Sequence, residues 1–138
     1  MASSKDYYNL YERYKQEAED HDKSIKELEG IVKSIESDLD DEQKRVNNEL
    51  DDLKDDLKKS VRHDETFNGT LTDCDTYKEK SSESDSNLSN ANTSLNDEIS
   101  SLKTKKKTAE TNRDTNYRLY QQQLQAETQA ANAQSTEE

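Results

Sequence analysis

The sequence lacks proline and tryptophan, and it holds only two glycines, one cysteine and one phenylalanine among 138 residues. Without proline, nothing in the chain forces a helix to break. The single cysteine, Cys74, excludes an intramolecular disulfide and indicates a reducing compartment. No stretch approaches the ~20 consecutive apolar residues of a membrane span, and no apolar signal segment follows Met1. We therefore expect neither membrane insertion nor a cleaved signal peptide.

The apolar content is also low, at 27% of residues, while 38% are charged. A compact globular domain is nearly half apolar, so a thick core is excluded. A coiled coil needs only two apolar positions in seven, roughly 29%, which this chain nearly supplies. The composition also sits near that of disordered chains, so hydrophobic periodicity must decide between a coiled coil and disorder.

Acidic residues outnumber basic ones, which gives a net charge of −12. Such a chain repels phosphate backbones, so we expect no nucleic-acid partner. The one basic cluster, Lys103 with Lys105, Lys106 and Lys107, is interpreted as a solvated helix face.

A first helix is predicted from about Ser4 to His63. Ser3 or Ser4 can cap its start, with Asp6 in the first turn. Apolar or semi-apolar residues recur at spacings of three and four, which is the pattern of a heptad seam. The seam comprises Tyr7, Tyr11, Tyr14, Ala18, His21, Ile25, Leu28, Val32, Ile35, Leu39, Glu42, Val46, Leu50, Leu53, Leu57 and Val61. Two successive steps of four, at 42–50, predict a local stutter.

A chain reversal is predicted at about 64–70, in the motif Phe67-Asn68-Gly69, because Asn and Gly both accept the positive φ of a tight turn. A second helix is expected from about Leu71 to Ala130. Its stretch 81–96 is rich in Ser and Asn and is the weakest helical part. Residues 1–130 would thus form one antiparallel hairpin, followed by a disordered tail at 131–138.

Folding the chain about Phe67 places Tyr14 opposite Tyr120 and gathers six of the seven tyrosines at one end. Two interpretations remain open: an aromatic clasp between the helices, or a docking surface, since tyrosines are favoured interface anchors. The candidate partner-binding residues are Tyr7, Tyr8, Tyr11, Tyr14, Tyr117, Tyr120 and Leu124.

No pattern of residues indicates an enzyme. A two-helix structure offers no pocket that would desolvate its carboxylates, and the sequence contains no CxxC, P-loop or GxGxxG motif. His21 is interpreted as a polar interruption of the seam rather than a metal ligand, because no second ligand stands at suitable spacing. We expect no catalytic, cofactor-binding or metal-binding residues.

Two helices joined by an aromatic-x-Gly reversal resemble the WXG-motif superfamily of type VII secretion systems. Phe67-Asn68-Gly69 stands where that family has Trp-x-Gly, and Phe67-x-Gly-x₇-Tyr77 is similar to the helical relatives found beside LXG toxins. The resemblance implies a targeting protein that pairs with the helical N-terminal domain of an effector toxin. The family's export motif Tyr-x-x-x-Asp/Glu does not follow Tyr117 or Tyr120, so the resemblance implies reliance on the partner's signal.

A single helix pair buries too narrow a strip to offset conformational entropy of ~1.5 kcal/mol per residue. We therefore expect a second hairpin, from another copy or from a partner, to complete a four-helix bundle. The leading hypothesis is a non-enzymatic, cytoplasmic binding partner of a secreted effector, exported, if at all, together with that effector. The alternatives are a structural coiled-coil scaffold and a holdase-type chaperone.

Overall fold

The protein is an all-α helical hairpin, as predicted. The computed structural model describes residues 1–59 and 65–136, with side chains for all of these except 39, 57, 59 and 65–68. Helix α1 spans Ser4–Ser34, α2 spans Asp40–Lys59, and α3 spans Glu65–Ser135. A π-helical turn, Ile35–Leu39, joins α1 to α2. Within the described ranges there is no strand.

Helix α1 begins with a reciprocal cap. The Asp6 backbone N–H donates to Ser3 Oγ (3.2 Å), and the Ser3 N–H donates to Asp6 Oδ2 (2.8 Å). This is a capping box with aspartate in the third helical position, and it satisfies two backbone donors that a helix start leaves open. The prediction of a serine cap with Asp6 is therefore confirmed, and Ser3 is the capping residue.

The reversal predicted at Phe67-Asn68-Gly69 is wrong, because α3 already begins at Glu65 and these three residues are helical. No described residue has a positive φ. Asn and Gly permit a left-handed turn without requiring one, and a glycine inside a helix costs only about 1 kcal/mol relative to alanine. Residues 60–64, which include His63 and Asp64 of the predicted helix end and turn, lie outside the described part of the chain.

The C-terminal end also differs from the prediction, since α3 continues to Ser135 where a disordered tail was expected from 131. The segment after Leu124 is rich in alanine, glutamine and glutamate, which are good helix formers. Its side chains from 125 to 136 are exposed, so local propensity rather than packing accounts for this extension. The Ser- and Asn-rich stretch 81–96 is helical throughout.

The described residues divide into two compact units, and each is considered by itself. The first unit consists of Met1–Glu27 and Glu98–Glu138, where the start of α1 packs against the end of α3. Its buried apolar side chains are Ala18, Ile25, Ile99 and Ala109. The second unit, Leu28–Asp97, holds the end of α1, the π turn, α2 and the start of α3.

In the second unit, the π turn changes which side chains face the interior. Before it, Val32 is buried and Ile35 half-buried, as the seam predicts. After it, Gln43 and Asn47 are half-buried while Val46 is 40% exposed and Leu53 48% exposed. A π turn accommodates one additional residue, which shifts the inward face by one position, or about 100° of helix rotation. The predicted seam is therefore wrong at Val46 and Leu53.

Candidate functional site

The first unit brings four of the predicted tyrosines together. The ring centroids of Tyr8 and Tyr120 lie 5.2 Å apart, and those of Tyr11 and Tyr117 lie 5.1 Å apart. Along each helix, Tyr8 contacts Tyr11 at 5.8 Å and Tyr117 contacts Tyr120 at 6.1 Å. All four pairs are tilted, an arrangement that aromatic quadrupoles favour. These four residues are called the tyrosine cluster below.

The pairing in the first unit is antiparallel, but its register differs from the prediction. Folding about Phe67 would pair Tyr14 with Tyr120, whereas Tyr120 contacts Tyr8, six residues earlier in the chain. The expected gathering of tyrosines occurs, with different partners.

The remaining predicted partner-binding residues lie near this cluster in the sequence. Tyr7 and Tyr14 are half-buried, and the Arg13 guanidinium carbon sits 4.8 Å from the Tyr14 ring centroid in a cation–π contact. Leu124 is 43% exposed, and Tyr8 and Tyr117 are each 42% exposed. The cluster thus links the two helices and also presents aromatic surface to solvent.

Polar pairs across the helices support the same register. The Ser4 N–H (2.9 Å) and hydroxyl (2.6 Å) both donate to the Glu127 carboxylate, and these bonds lower the pKa of Glu127. Lys106 Nζ donates to Asp22 Oδ1 at 2.6 Å, and Lys26 lies 2.7 Å from the other oxygen. Hydrogen bonds from Lys106 and then Lys26 lower the pKa of Asp22 to about 2. Asp22 is therefore ionised at neutral pH.

An open groove of about 480 Å³ runs between the helices beside the tyrosine cluster. Its lining combines Tyr11 and Tyr117 with basic and acidic side chains. Arg113 Nε donates to Asp114 Oδ1 at 2.7 Å, which lowers the pKa of Asp114. The groove is therefore lined by aromatic side chains together with paired acidic and basic ones.

In the second unit the structure reveals a surface that the sequence analysis missed. The outward face of α2 carries Val46 and Leu53, one heptad apart, as large exposed apolar side chains. Leu50, on the inner edge of this face, is half-buried. Sequence periodicity assigns these residues to the interior. Only the π turn that precedes α2 indicates that they face outward. We call Val46, Leu50 and Leu53 the α2 stripe.

The inward side of α2 is correspondingly polar. The Gln43 amide donates to the Ser81 carbonyl at 3.1 Å and to the Ser81 hydroxyl, and Lys54 pairs with Asp75. The amide oxygen of Asn47 is buried without a hydrogen-bond partner. An unpaired buried acceptor is destabilising. Polar contacts thus join α2 to α3 beside the buried Cys74 and the half-buried Leu50, while Val46 and Leu53 stay exposed.

Other predicted positions have structural roles. Cys74 is a free thiol that is buried on the inward face of α3. His21 is half-buried, with Nε2 3.7 Å from the Glu17 carboxylate one turn away. Among residues 1–59 and 65–136, no group of three or more His, Cys, Asp or Glu is arranged to hold a metal ion. None of the described helices combines the length and apolar content that crossing a bilayer requires.

These features define a helical hairpin with a narrow interior and half-exposed aromatic and aliphatic side chains. Comparisons with known protein families, curated proteins and solved structures found no match.

Proposed function

We propose that the protein is a non-enzymatic binding partner that packs its exposed apolar surface against the helical domain of another protein. The observation that carries this proposal is the distribution of apolar side chains. Among the side chains that the structure describes, three of the six buried apolar ones are small (Ala18, Cys74 and Ala109), while Val46, Leu53 and Leu124 stay exposed. A helix with large apolar side chains on its outer face gains stability when another helix covers them.

The expected assembly is a four-helix bundle in which a second hairpin, supplied by the partner, lies alongside this one. Half-exposed aromatic rings supply contact area at low entropic cost, which is why tyrosines serve as anchors at interfaces. The tyrosine cluster and Leu124 are accordingly proposed as one contact surface.

Within this class, we propose the narrower role of an accessory protein that accompanies an LXG-type effector in type VII secretion. The support is the all-α hairpin, together with the exposed tyrosines. The Phe67-Asn68-Gly69 motif adds no support, because these residues are helical rather than part of the reversal.

Co-expression tests the proposal. The full chain is produced with the helical N-terminal domain of an LXG-type effector, and the pair is analysed by size-exclusion chromatography with light scattering. A one-to-one complex is expected, and the double substitution Tyr8→Ala and Tyr117→Ala should weaken it. Failure to co-elute, together with a stable homo-oligomer of the chain alone, would refute the proposal and favour the structural scaffold.

A further inference from the structure

The α2 stripe has an ordered charged border. In a helix, positions i−4 and i+3 lie beside position i on one face. Both positions are acidic for Val46 (Glu42 and Glu49) and for Leu53 (Glu49 and Asp56). All three of these acidic residues are exposed. The stripe is therefore an apolar row with a continuous acidic edge.

Among the side chains that the structure describes, the basic residue close to this edge is Arg45. Its guanidinium is 2.9 Å from Glu49 and 3.7 Å from Glu42, and the arginine side chain is 61% exposed. An exposed pair of this kind is weak and exchanges readily with other cations. Arg45 therefore reduces the negative charge of the edge, but Glu42 and Glu49 can still pair with a basic side chain of a partner.

Charge is also unevenly distributed between the two units. Residues 28–97 contain 19 of the 32 acidic residues and nine of the 20 basic ones, so they carry −10 of the total −12. The first unit carries the remaining −2. The stripe thus lies in the part of the chain that most strongly attracts a basic partner.

From this geometry we propose that the α2 stripe is a docking surface for an amphipathic helix of another protein, with basic residues flanking its apolar row. The inference rests on the proposed function and specifies both the surface and the chemistry of the partner. Leucine-like side chains of that helix pack on Val46, Leu50 and Leu53. Its Lys or Arg residues, at the heptad positions beside that row, pair with Glu42, Glu49 and Asp56, as charged positions select partners in coiled coils.

Charge is what selects this occupant over a second copy of the chain. Two copies packed through the α2 stripe would bring acidic edges of the same unit together, and like charges across such an interface are unfavourable. A basic helix removes the same apolar surface from water, and its positive charges attract the acidic residues at the edge.

The test uses two synthetic amphipathic peptides with leucine at heptad positions a and d. One peptide carries lysine at positions e and g, and the other carries glutamate there. Binding of each labelled peptide to the full chain is measured by fluorescence anisotropy at low and high salt. The lysine peptide should bind at least about tenfold more tightly at low salt, with the difference shrinking as salt screens the charges.

Matched substitutions locate the site. Leu53→Gln should weaken the lysine peptide by about tenfold, as expected for a central apolar contact. Ile31→Gln, the same kind of change at a similarly exposed aliphatic side chain of α1 (Ile31 is 49% exposed and Leu53 48%), should leave binding unchanged. The double substitution Glu42→Lys and Glu49→Lys should reverse the preference toward the glutamate peptide. Circular dichroism of each variant confirms that the helices persist.

Three results would overturn the inference: equal binding of both peptides, sensitivity to Ile31→Gln but not to Leu53→Gln, or dimerisation of the chain that Leu53→Gln abolishes. The third result would identify a second copy as the occupant. Because the peptides are independent of any natural effector, this test can succeed while co-expression fails, and the reverse is equally possible.

Discussion

Deleting Ser37 from the π turn tests whether that turn acts as a one-residue insertion. Ser37 is exposed and lies within Ile35–Leu39. Removing one residue allows the turn to become regular α-helix while α2 keeps its present inward face, with Gln43, Asn47 and Lys54 directed as before. We expect the melting temperature to stay within about 2 °C of the wild type, since a change below ~0.5 kcal/mol produces a shift of that size.

The matched control deletes Asn48, an exposed residue in the regular part of α2. No π turn can absorb this change, so everything after residue 48 rotates by about 100°. Leu50 moves from half-buried to exposed, which costs about 1 kcal/mol, or half of the ~1.5–3 kcal/mol for burying a leucine side chain. In addition, Asp55 replaces Lys54 opposite Asp75, so an attraction becomes a repulsion.

Thermal unfolding followed by circular dichroism at 222 nm measures both variants. The Asn48 deletion should lower the melting temperature by at least about 4 °C, because ~1 kcal/mol corresponds to a few degrees for a domain of this size. Equal destabilisation by the two deletions would refute the conclusion that the π turn sets the face of α2.

Three further predictions concern the first unit. The pKa of Asp22 is lowered from 3.8 to about 2, so its pairing with Lys106 stabilises the fold fully above pH 3.8, and this stabilisation is lost as the pH falls through about 2. Acid titration of Asp22→Asn should therefore show a smaller loss of stability than that of the wild type. Glu127→Ala removes the acceptor of two Ser4 donors, so amide hydrogen exchange at the start of α1 should accelerate, and unchanged exchange would contradict the cross-helix cap. Tyr117→Leu loses two ring contacts of ~0.5–1.5 kcal/mol each, so urea denaturation should report about 1–2 kcal/mol lower stability.

Part of the candidate site could be predicted from the sequence. The tyrosines lie near the two ends of the chain, so any antiparallel pairing brings them together whatever its register. For that reason the gathering was predicted, while the assignment of Tyr14 to Tyr120 was wrong. A register is specified by many matched apolar pairs, and the seam of α3 has polar residues at many of its positions.

The α2 stripe could not be predicted in the same way. Periodicity assigns Val46 and Leu53 to the interior only if α1 continues into α2 without interruption. A single additional residue in the π turn transfers both side chains to the surface, and no composition rule marks Ile35–Leu39 as π-helical.

The sequence by itself determined that the chain is helical, that a serine caps the start of α1 with Asp6 in the first turn, and that the helices run antiparallel. These features follow from local propensity, hydrophobic periodicity and chain connectivity, which act over a few residues or depend only on their order. Only the tertiary structure decided the pairing register, the start of α3 at Glu65 and the outward face of α2. Each of these depends on contacts between residues far apart in the chain, such as Gln43 with Ser81 and Tyr8 with Tyr120. The energies of such contacts differ too little between neighbouring registers for the sequence of either helix alone to predict them.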